Sequence, residues 1–449
     1  MSGEASPAPA ARPAGEASPA RAVARRLRRI AGFVDWSPRA ALRAPSPVSV
    51  ADLRRAARRR LPPMIFDHVD GGGGQEATLR ANVADLRRVT LQPRVLSPVG
   101  EVDLSATIGG QRVALPVLLG PTGLARMSHR DGELAAARAA ARAGTIFTLS
   151  TASSYSLEDV ARAAAGPLWF QLYLGRDRDG VRDLVRRVKA AGYRALVLTV
   201  DVQTGGQRLR DLRNGLAIPP RVNLRQAAGT LLHPGWLADI AADPPVGFAN
   251  FADAAGARLA QREYAERLSS PTATWDDLRE LRDLWPGTLI VKGILTVPAA
   301  EQAVAAGVDG IIVSNHGGRQ LDGVDSSISA LVRIRAALGA RADAVDLLLD
   351  GGIRTGADVV RAIAAGARGV LIGRPWVWGL AARGQDGVEL CLELLREDIE
   401  RTMRLLGAPA VAAITGSHAA FPPEWARDAD TSTDTTTTTS TSTSEGTTR

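Results

Sequence analysis

The sequence predicts an α/β chain built on a (β/α)8 barrel of the TIM type, with a long insertion after the fourth strand and structureless tails. Three observations predict it. Short apolar, β-rich runs alternate with helical patterns eight times, several helical patterns stop at a glycine, and both chain ends are of low complexity. Apolar strands of this length suit a parallel sheet covered on both faces. Strict alternation favours a closed barrel over an open doubly wound sheet, which stays the alternative on pattern alone.

In chain order, residues 1–46 form an Ala/Pro/Arg arm that cannot bury a core. The strand runs are 115–119, 145–149, 168–172, 195–200, 288–291, 310–313, 346–349 and 369–372. Between them helices are expected over 131–143, 178–191, 276–285, 298–306, 326–338 and 356–366, with Gly144, Gly192, Gly307 and Gly366 as terminators. The barrel domain is placed at 47–415, with the insertion at about 209–275. Trp236, Phe248 and Phe251 make the insertion a packed lid over the barrel mouth or, in a sharper reading, a surface for membrane or quinone. Residues 416–449 form an extension that becomes a Thr/Ser-rich disordered tail near 430.

Composition narrows the classes. A chain of 449 residues, 45% apolar and 23% charged, holds a barrel of about 250 residues with room for extensions. The net charge of +8 is concentrated early, at Arg25, Arg26, Arg28, Arg29 and the run Arg58–Arg60. We read this as an arm for an acidic surface; no zinc-ligand or RNA-binding signature accompanies it, so no nucleic-acid partner is expected. The single cysteine, Cys391, lies in an apolar helical pattern and supports neither an internal disulfide nor a cysteine metal site. No metal is expected. Neither an export-signal core nor an apolar run of membrane-spanning length occurs, so the expected location is cytoplasmic, with peripheral contact at the inner membrane face as an option.

Barrel chemistry collects at the carboxyl ends of the strands. The fifth strand delivers Lys292, and Lys189 is the only other lysine in this arginine-rich chain. A compact ammonium there is not interchangeable with a guanidinium. The sixth strand runs into Ser314-Asn315-His316-Gly317-Gly318-Arg319. An imidazole is a base near neutrality, and a guanidinium matches a carboxylate. The seventh and eighth strands deliver Asp350-Gly351-Gly352-Ile353-Arg354 and Gly373-Arg374. Glycines that let backbone N–H groups approach, a helix start and an Arg make a phosphate site.

The strings SNHGGRQLDG, DGGIRTGADVVRA, WFQLY, LVLTVD, LPPMIFDHVDGGG and LGPTGLARM resemble the FMN-dependent 2-hydroxy-acid dehydrogenase/oxidase family, which includes glycolate oxidase, L-lactate dehydrogenase and mandelate dehydrogenase. The likeness runs from about Val48 to Leu406. HPGWL, ANF and RDLWPGTLIVKG resemble its quinone-linked branch. The resemblance implies FMN as cofactor, oxidation of an L-2-hydroxy acid, a quinone or another acceptor, and a homo-oligomer, a tetramer by family habit. It implies that Pro121, Thr122 and Gly123 line the flavin, while Ser150, Gln171 and Thr199 bond its edge. Lys292 would stabilise reduced flavin, with Ser314 beside the base. Asp350 would hold the ribityl chain, and Gly351, Gly352, Arg354, Gly373 and Arg374 the phosphate. Tyr173, Arg208 and Arg319 would bind substrate, with His316 as base and Asp201 fixing its tautomer.

Two positions depart from the family pattern. His68 stands where the family has a carboxylate-binding Tyr, which implies an altered substrate preference or acid-side pH profile, or no change. Thr151-Ala152-Ser153 replaces the Trp of many oxidases, which opens room for a larger side chain unless Tyr155 or the insertion fills it. Rival readings are an oxygen-using oxidase, another FMN barrel such as a type 2 isopentenyl diphosphate isomerase, which shares the phosphate clamp but lacks His316, Arg319 and Arg208 together, and a non-catalytic flavin scaffold.

Overall fold

The computed structural model describes residues 46–216, 229–242, 247–251 and 271–427, together with Val23. The expected disorder of the arm and of the tail beyond 427, and parts of the insertion, fall outside the described residues. The chain divides into two units, Met1–Pro47 and Val48–Arg449, and every element below belongs to the second.

Among residues 46–116 the helices α1 (Val50–Arg60), α2 (Pro63–Asp70) and α3 (Ala77–Arg88) precede the barrel. Three small strands, β1 (Thr90–Leu91) and the pair β2 (Ala106–Ile108) and β3 (Gln111–Val113), follow. Then come β4 (Val117–Leu119), α4 (Gly132–Arg142), β5 (Phe147–Ser150), α5 (Leu157–Ala163), β6 (Leu168–Tyr173), α6 (Arg178–Ala190) and β7 (Ala195–Thr199). The insertion shows α7 (Leu209–Arg213) and α8 (Pro234–Ala242) before α9 (Trp275–Leu284). The second half runs β8 (Thr288–Ile294), α10 (Val297–Ala305), β9 (Gly310–Val313), α11 (Ser327–Leu338), β10 (Asp346–Asp350), α12 (Gly356–Ala364), β11 (Gly369–Ile372) and α13 (Arg374–Leu406). The strands β4 to β11 close into one parallel barrel, so the expected fold class stands and the open sheet does not.

Residues alternate in and out along each strand. One face carries Leu118, Trp169, Ala195, Val197, Ile290, Ile312, Leu348 and Leu371, which form the buried barrel interior. The opposite face, with Phe147, Leu149, Leu196, Leu198, Leu347 and Leu349, packs under the helices in the larger core. The β2–β3 hairpin, missed in the sequence, plugs the amino-terminal mouth. Its Ile108 and Val113 join the interior cluster, and Gly109 N donates to Asp346 Oδ2 at 2.6 Å. Its turn is two glycines with positive φ, and a Cβ on Gly109 would lie 2.7 Å from the Trp169 ring.

Several helix starts are capped as their sequences direct. Ser49, Ser156, Asp177 and Ser326 accept backbone N–H groups, and Thr274 and Thr355 form capping boxes with Asp277 and Asp358. The run Arg58–Arg60, grouped above with the basic arm, instead ends α1, where cations meet the carboxyl end of the helix. Arg60 pairs there with Asp239 of the insertion. The body also continues past the expected boundary at 415. Ala419–Ala420 pairs antiparallel with β1, and Trp425 of α14 (Glu424–Arg427) is buried. Cys391 is buried in α13, and burial pushes its thiol up to about 12.

Candidate active site

Continuing the inward face by one residue at the carboxyl ends turns it from apolar to polar. Ser150, Gln171, Thr199, Lys292 and Ser314 are all buried there, and Asp350 joins them. Lys292 shares the inward face of Ile290 by strand alternation, and β8 bulges just after it, between Lys292 and Ile294. Gly293 sits in the bulge at φ 106, where a Cβ would lie 2.7 Å from the Asp201 side chain.

These groups are wired together. Lys292 Nζ donates to Ser314 Oγ at 2.9 Å and pairs with Asp350 Oδ2 at 3.0 Å. Ser314 Oγ donates to Asp350 Oδ1 at 2.7 Å and accepts from His316 N at 3.0 Å. Burial disfavours the Lys292 ammonium, but Asp350 and then Asp201 outweigh it and hold its pKa above the ordinary lysine value. Lys292 is therefore charged inside the barrel mouth.

His316 has φ 58 and precedes Gly317 and Gly318, also at positive φ. This left-handed run folds the loop back over the mouth. The imidazole Nδ1 lies 3.1 and 3.3 Å from the two Asp201 oxygens. Burial pushes the Asp201 carboxyl up, but His316 and then Lys292 hold it below the ordinary carboxylate value. The loop is tied down by a reciprocal amide pair, Asn82 with Asn315, at 2.8 Å in both directions. It is also pressed against Gly71–Gly74: Gly73 N donates to Gly318 O, and a Cβ on Gly73 would lie 2.4 Å from Gln320 O.

Arg319, three residues after His316, is partly buried and donates through Nη1 to the carbonyls of His68 and Gly71, at 2.7 and 2.9 Å. Burial first, then the like charges of Arg208 and Arg374, pull its guanidinium well below the arginine range. Arg208 lies 3.7 Å from Asp211, and its buried Nε has no partner. Tyr173 ends β6 within electrostatic reach of Asp201, Arg208 and Arg319, its phenol raised mainly by burial. His68 is not free to act as a simple Tyr substitute, since its Nδ1 lies 2.9 Å from Asp211 Oδ2.

The second concentration of charge lies after β10 and β11. Arg374 donates to the carbonyls of Asp70, Gly317 and Gly71, while Arg354 donates to the Ile353 carbonyl and stacks over Trp378. Burial, and then the charge of Arg374, lower Arg354 to about 9, while burial outweighs the nearby carboxylates and lowers Arg374 to about 10. Asp70, the nearest carboxylate, is already shared with Arg54 and Arg210. Two partly buried guanidiniums short of counter-charge fit a phosphate. Gln171 Nε2 and Thr199 Oγ1 are buried without partners on the polar rung, which fits the polar edge of a bound ring system. Pro121, Thr122 and Gly123 follow β4, and Gly123 packs on Ala152. Gly373 is open, with Thr122 Oγ1 the nearest atom to an added Cβ, at 3.7 Å. Gly351 and Gly352 pack against Asn82.

Sequence reasoning passed over several residues that shape the site. Asp70 and Asn315 lie inside quoted motifs without a role, Asp211 follows Arg208 by three, and Asn82 sits on a helix with no local signal. Glu133 is fully buried; its Oε1 accepts from Ala125 N and Ser154 N, tying the loops after β4 and β5. Asn250, in the insertion, bonds Leu157 N, Thr151 O and Ser153 Oγ. With Trp236 Nε1 donating to Met127 O, it docks the described part of the insertion against those loops.

Comparison with known proteins agrees with this geometry. Residues 57–420 match the family model described as FMN-dependent dehydrogenase. The chain is 45% identical over 370 residues to an L-lactate dehydrogenase of Caulobacter vibrioides, covering 82% of this chain and 96% of that protein. It is 42% identical to a putative L-lactate dehydrogenase of Mycobacterium tuberculosis, covering 83% and 88%. Among solved structures it resembles a monotopic membrane protein, (S)-mandelate dehydrogenase, with a TM-score of 0.80, 38% identity and coverage of 84% and 100%. It also resembles a mandelate oxidase, with a TM-score of 0.71, 44% identity and coverage of 82% and 97%. The match across the whole barrel, together with a buried cationic clamp and a His–Asp pair at its mouth, makes this chain a member of the FMN-dependent dehydrogenase family.

Proposed function

We propose that the protein oxidises an L-2-hydroxy acid of the lactate or mandelate type to the 2-oxo acid, with His316 as base. The observation that carries this reading is the pairing of His316 Nδ1 with Asp201, in the same loop that presents the partly buried Arg319. With Nδ1 committed, Nε2 is the atom that takes the substrate proton. Asp201 fixes the tautomer and stabilises the imidazolium once that proton arrives. Arg319 and Arg208 bind the substrate carboxylate, whose charge relieves the crowding of guanidiniums, and Tyr173 donates a further hydrogen bond.

Arg354 and Arg374, with the backbone at Gly351, Gly352 and Gly373, would hold the FMN phosphate. Pro121, Thr122 and Gly123 would line the ring, and Ser150, Gln171, Thr199 and Lys292 would hydrogen-bond its polar edge. Ser314 holds Lys292 and Asp350 in place, leaving Asp350 the secondary task of meeting the ribityl hydroxyls. FMN supplies the two-electron acceptor for the reaction.

We further infer that electrons leave to a membrane quinone at a peripheral membrane contact. Among the described residues no helix is long and apolar enough to cross a membrane. Leu231 and Leu232 of the insertion are 71% and 80% exposed, and a similar structure is described as a monotopic membrane protein. Anaerobic mixing of the holoenzyme with L-lactate or L-mandelate is expected to bleach the flavin, and its persistence in the oxidised state with both acids overturns the assignment. During turnover, a quinone analogue is expected to accept the electrons; rapid stoichiometric peroxide instead makes oxygen the acceptor.

A further inference from the structure

His68 and Asp211 form a second imidazole–carboxylate pair, separate from His316 and Asp201. Four groups meet there: the imidazole, the Asp211 carboxylate 2.9 Å from its Nδ1, Arg319 hydrogen-bonded to the His68 carbonyl, and Arg208 3.7 Å from Asp211. The His68 and Asp211 side chains are only 19% and 15% exposed. We propose that this pair takes up a proton when the substrate carboxylate binds, so that carboxylate recognition in this enzyme is proton-linked. The inference rests on the proposed function, because it takes Arg319 and Arg208 as the carboxylate anchors.

The physical reason is hydrogen-bond parity. A neutral imidazole that donates from Nδ1 to Asp211 has a lone pair at Nε2, the ring nitrogen left for a ligand held by the neighbouring guanidiniums. A carboxylate has only lone pairs to offer in return, so a proton must enter between them for the contact to be attractive. Before a ligand binds, burial first, and then Arg319 and Arg208, hold His68 below the ordinary histidine value against the pull of Asp211. A bound carboxylate cancels those guanidinium charges and adds a second anion facing the ring. Both changes favour imidazolium.

The surroundings do not supply a competing partner. His68 lies in the last turn of Pro63–Asp70, whose carboxyl end favours a cation. Of the charges packed around that helix, Arg54 is engaged by Asp70, Arg374 by the carbonyls of Asp70 and Gly71, and Arg210 by Asp67, Asp70 and Glu76. Asp211 is itself held below the ordinary carboxylate value: burial opposes this, but His68, Arg208 and Arg319 prevail, so it is ionised and ready to share a proton's charge. A tyrosine at this position, with its pKa of about 10, binds a carboxylate without changing its charge.

The test uses the holoenzyme with pyruvate and phenylglyoxylate, two 2-oxo acids that bind without reducing oxidised flavin, followed by flavin absorbance from pH 6 to 9. The dissociation constant is expected to rise toward about tenfold per pH unit above the free-enzyme pKa of His68. Calorimetry in buffers of different ionisation enthalpy should report uptake approaching about one proton. His68→Tyr should flatten both, as should His68→Gln if the tyrosine variant does not fold. Asp211→Asn should reduce the uptake, and His316→Asn should retain it. A pH-independent dissociation constant in the wild type overturns the proposal, as does uptake that survives His68 replacement or vanishes in His316→Asn. If neither acid perturbs the flavin at all, the proposed function falls with it.

Discussion

Asp201 meets His316 Nδ1 with both carboxylate oxygens, at 3.1 and 3.3 Å, and its carboxyl is held below the ordinary aspartate value even though burial works against it. The pair is thus a charged acceptor with a fixed donor, rather than two groups sharing an uncertain proton. Asp201→Asn keeps the shape but removes the charge that favours imidazolium. We expect kcat to fall by roughly 10²–10⁴-fold with a much smaller change in KM. Steady-state kinetics with the preferred 2-hydroxy acid check this, and unchanged kcat contradicts the role given to Asp201. Because its folded pKa is depressed, Asp201 stabilises the fold above its unfolded pKa near 3.8, and that contribution is lost as pH falls through the folded value. The acid-side thermal melting curve of Asp201→Asn should lack this component.

Arg354 and Arg374 are two partly buried cations lowered to about 9 and about 10, mainly by burial and, for Arg354, by the charge of Arg374. Replacing Arg354 with Met should weaken FMN retention by about 1.5–3 kcal/mol, roughly 10–100-fold in Kd. The same change should leave the FMN-stripped protein as stable as wild type or more stable, since it removes a poorly compensated buried charge. Fluorescence titration of FMN and melting of the stripped proteins separate the two effects. Equal FMN affinity would remove Arg354 from the phosphate site.

Glu133 tells the opposite story. It is fully buried, and desolvation raises its pKa against the N–H groups of Ser154 and Ala125 that favour the carboxylate. A raised folded pKa gives stability that is complete below the unfolded value near 4.5 and is lost as pH rises through the folded one. Glu133→Gln retains the acceptor oxygen without the charge, so it should be neutral or stabilising at pH 7. Glu133→Ala strands two buried N–H groups and should cost about 2–5 kcal/mol. Denaturant melts of both variants give the comparison, and a glutamine variant as unstable as the alanine one refutes it.

Asn250 makes three side-chain hydrogen bonds across the loop after β5 and is 4% exposed. Asn250→Ala should loosen the insertion where Trp236 and Asn250 dock, raising protease cleavage within it and raising KM more than it lowers kcat. Limited proteolysis of the holoenzyme reads the first effect, and kinetics the second. Unchanged cleavage would show that Trp236 suffices as the anchor.

Much of the barrel was legible because its signals are local. The runs 310–313 and 369–372 coincide with the observed strands, whereas the strand read as ending near Lys292 continues past a bulge to Ile294. The helices at 276–285 and 356–366 differ from the observed Trp275–Leu284 and Gly356–Ala364 by one or two residues, which is fraying at caps. The β2–β3 plug was not legible, since three-residue strands carry too little periodicity to rise above a loop. Nor was the route of Arg58–Arg60, whose charge suggested an arm while Leu53 and Ala57 bury the same helix.

The sequence by itself determined which residue types are available at each strand end, because inward-facing parity and strand spacing are properties of a local period. It also determined the helix starts, where a Ser, Thr or Asp meets backbone N–H groups three residues away. Tertiary structure alone decided that Asp211 would hold His68, that Asn82 would brace Asn315, and that Asp70 would be shared among three arginines. Those partners lie 143, 233 and up to 304 residues apart, so no local pattern encodes them. Only closure of the barrel brings their charges within hydrogen-bonding distance and, by removing water, gives those charges their strength.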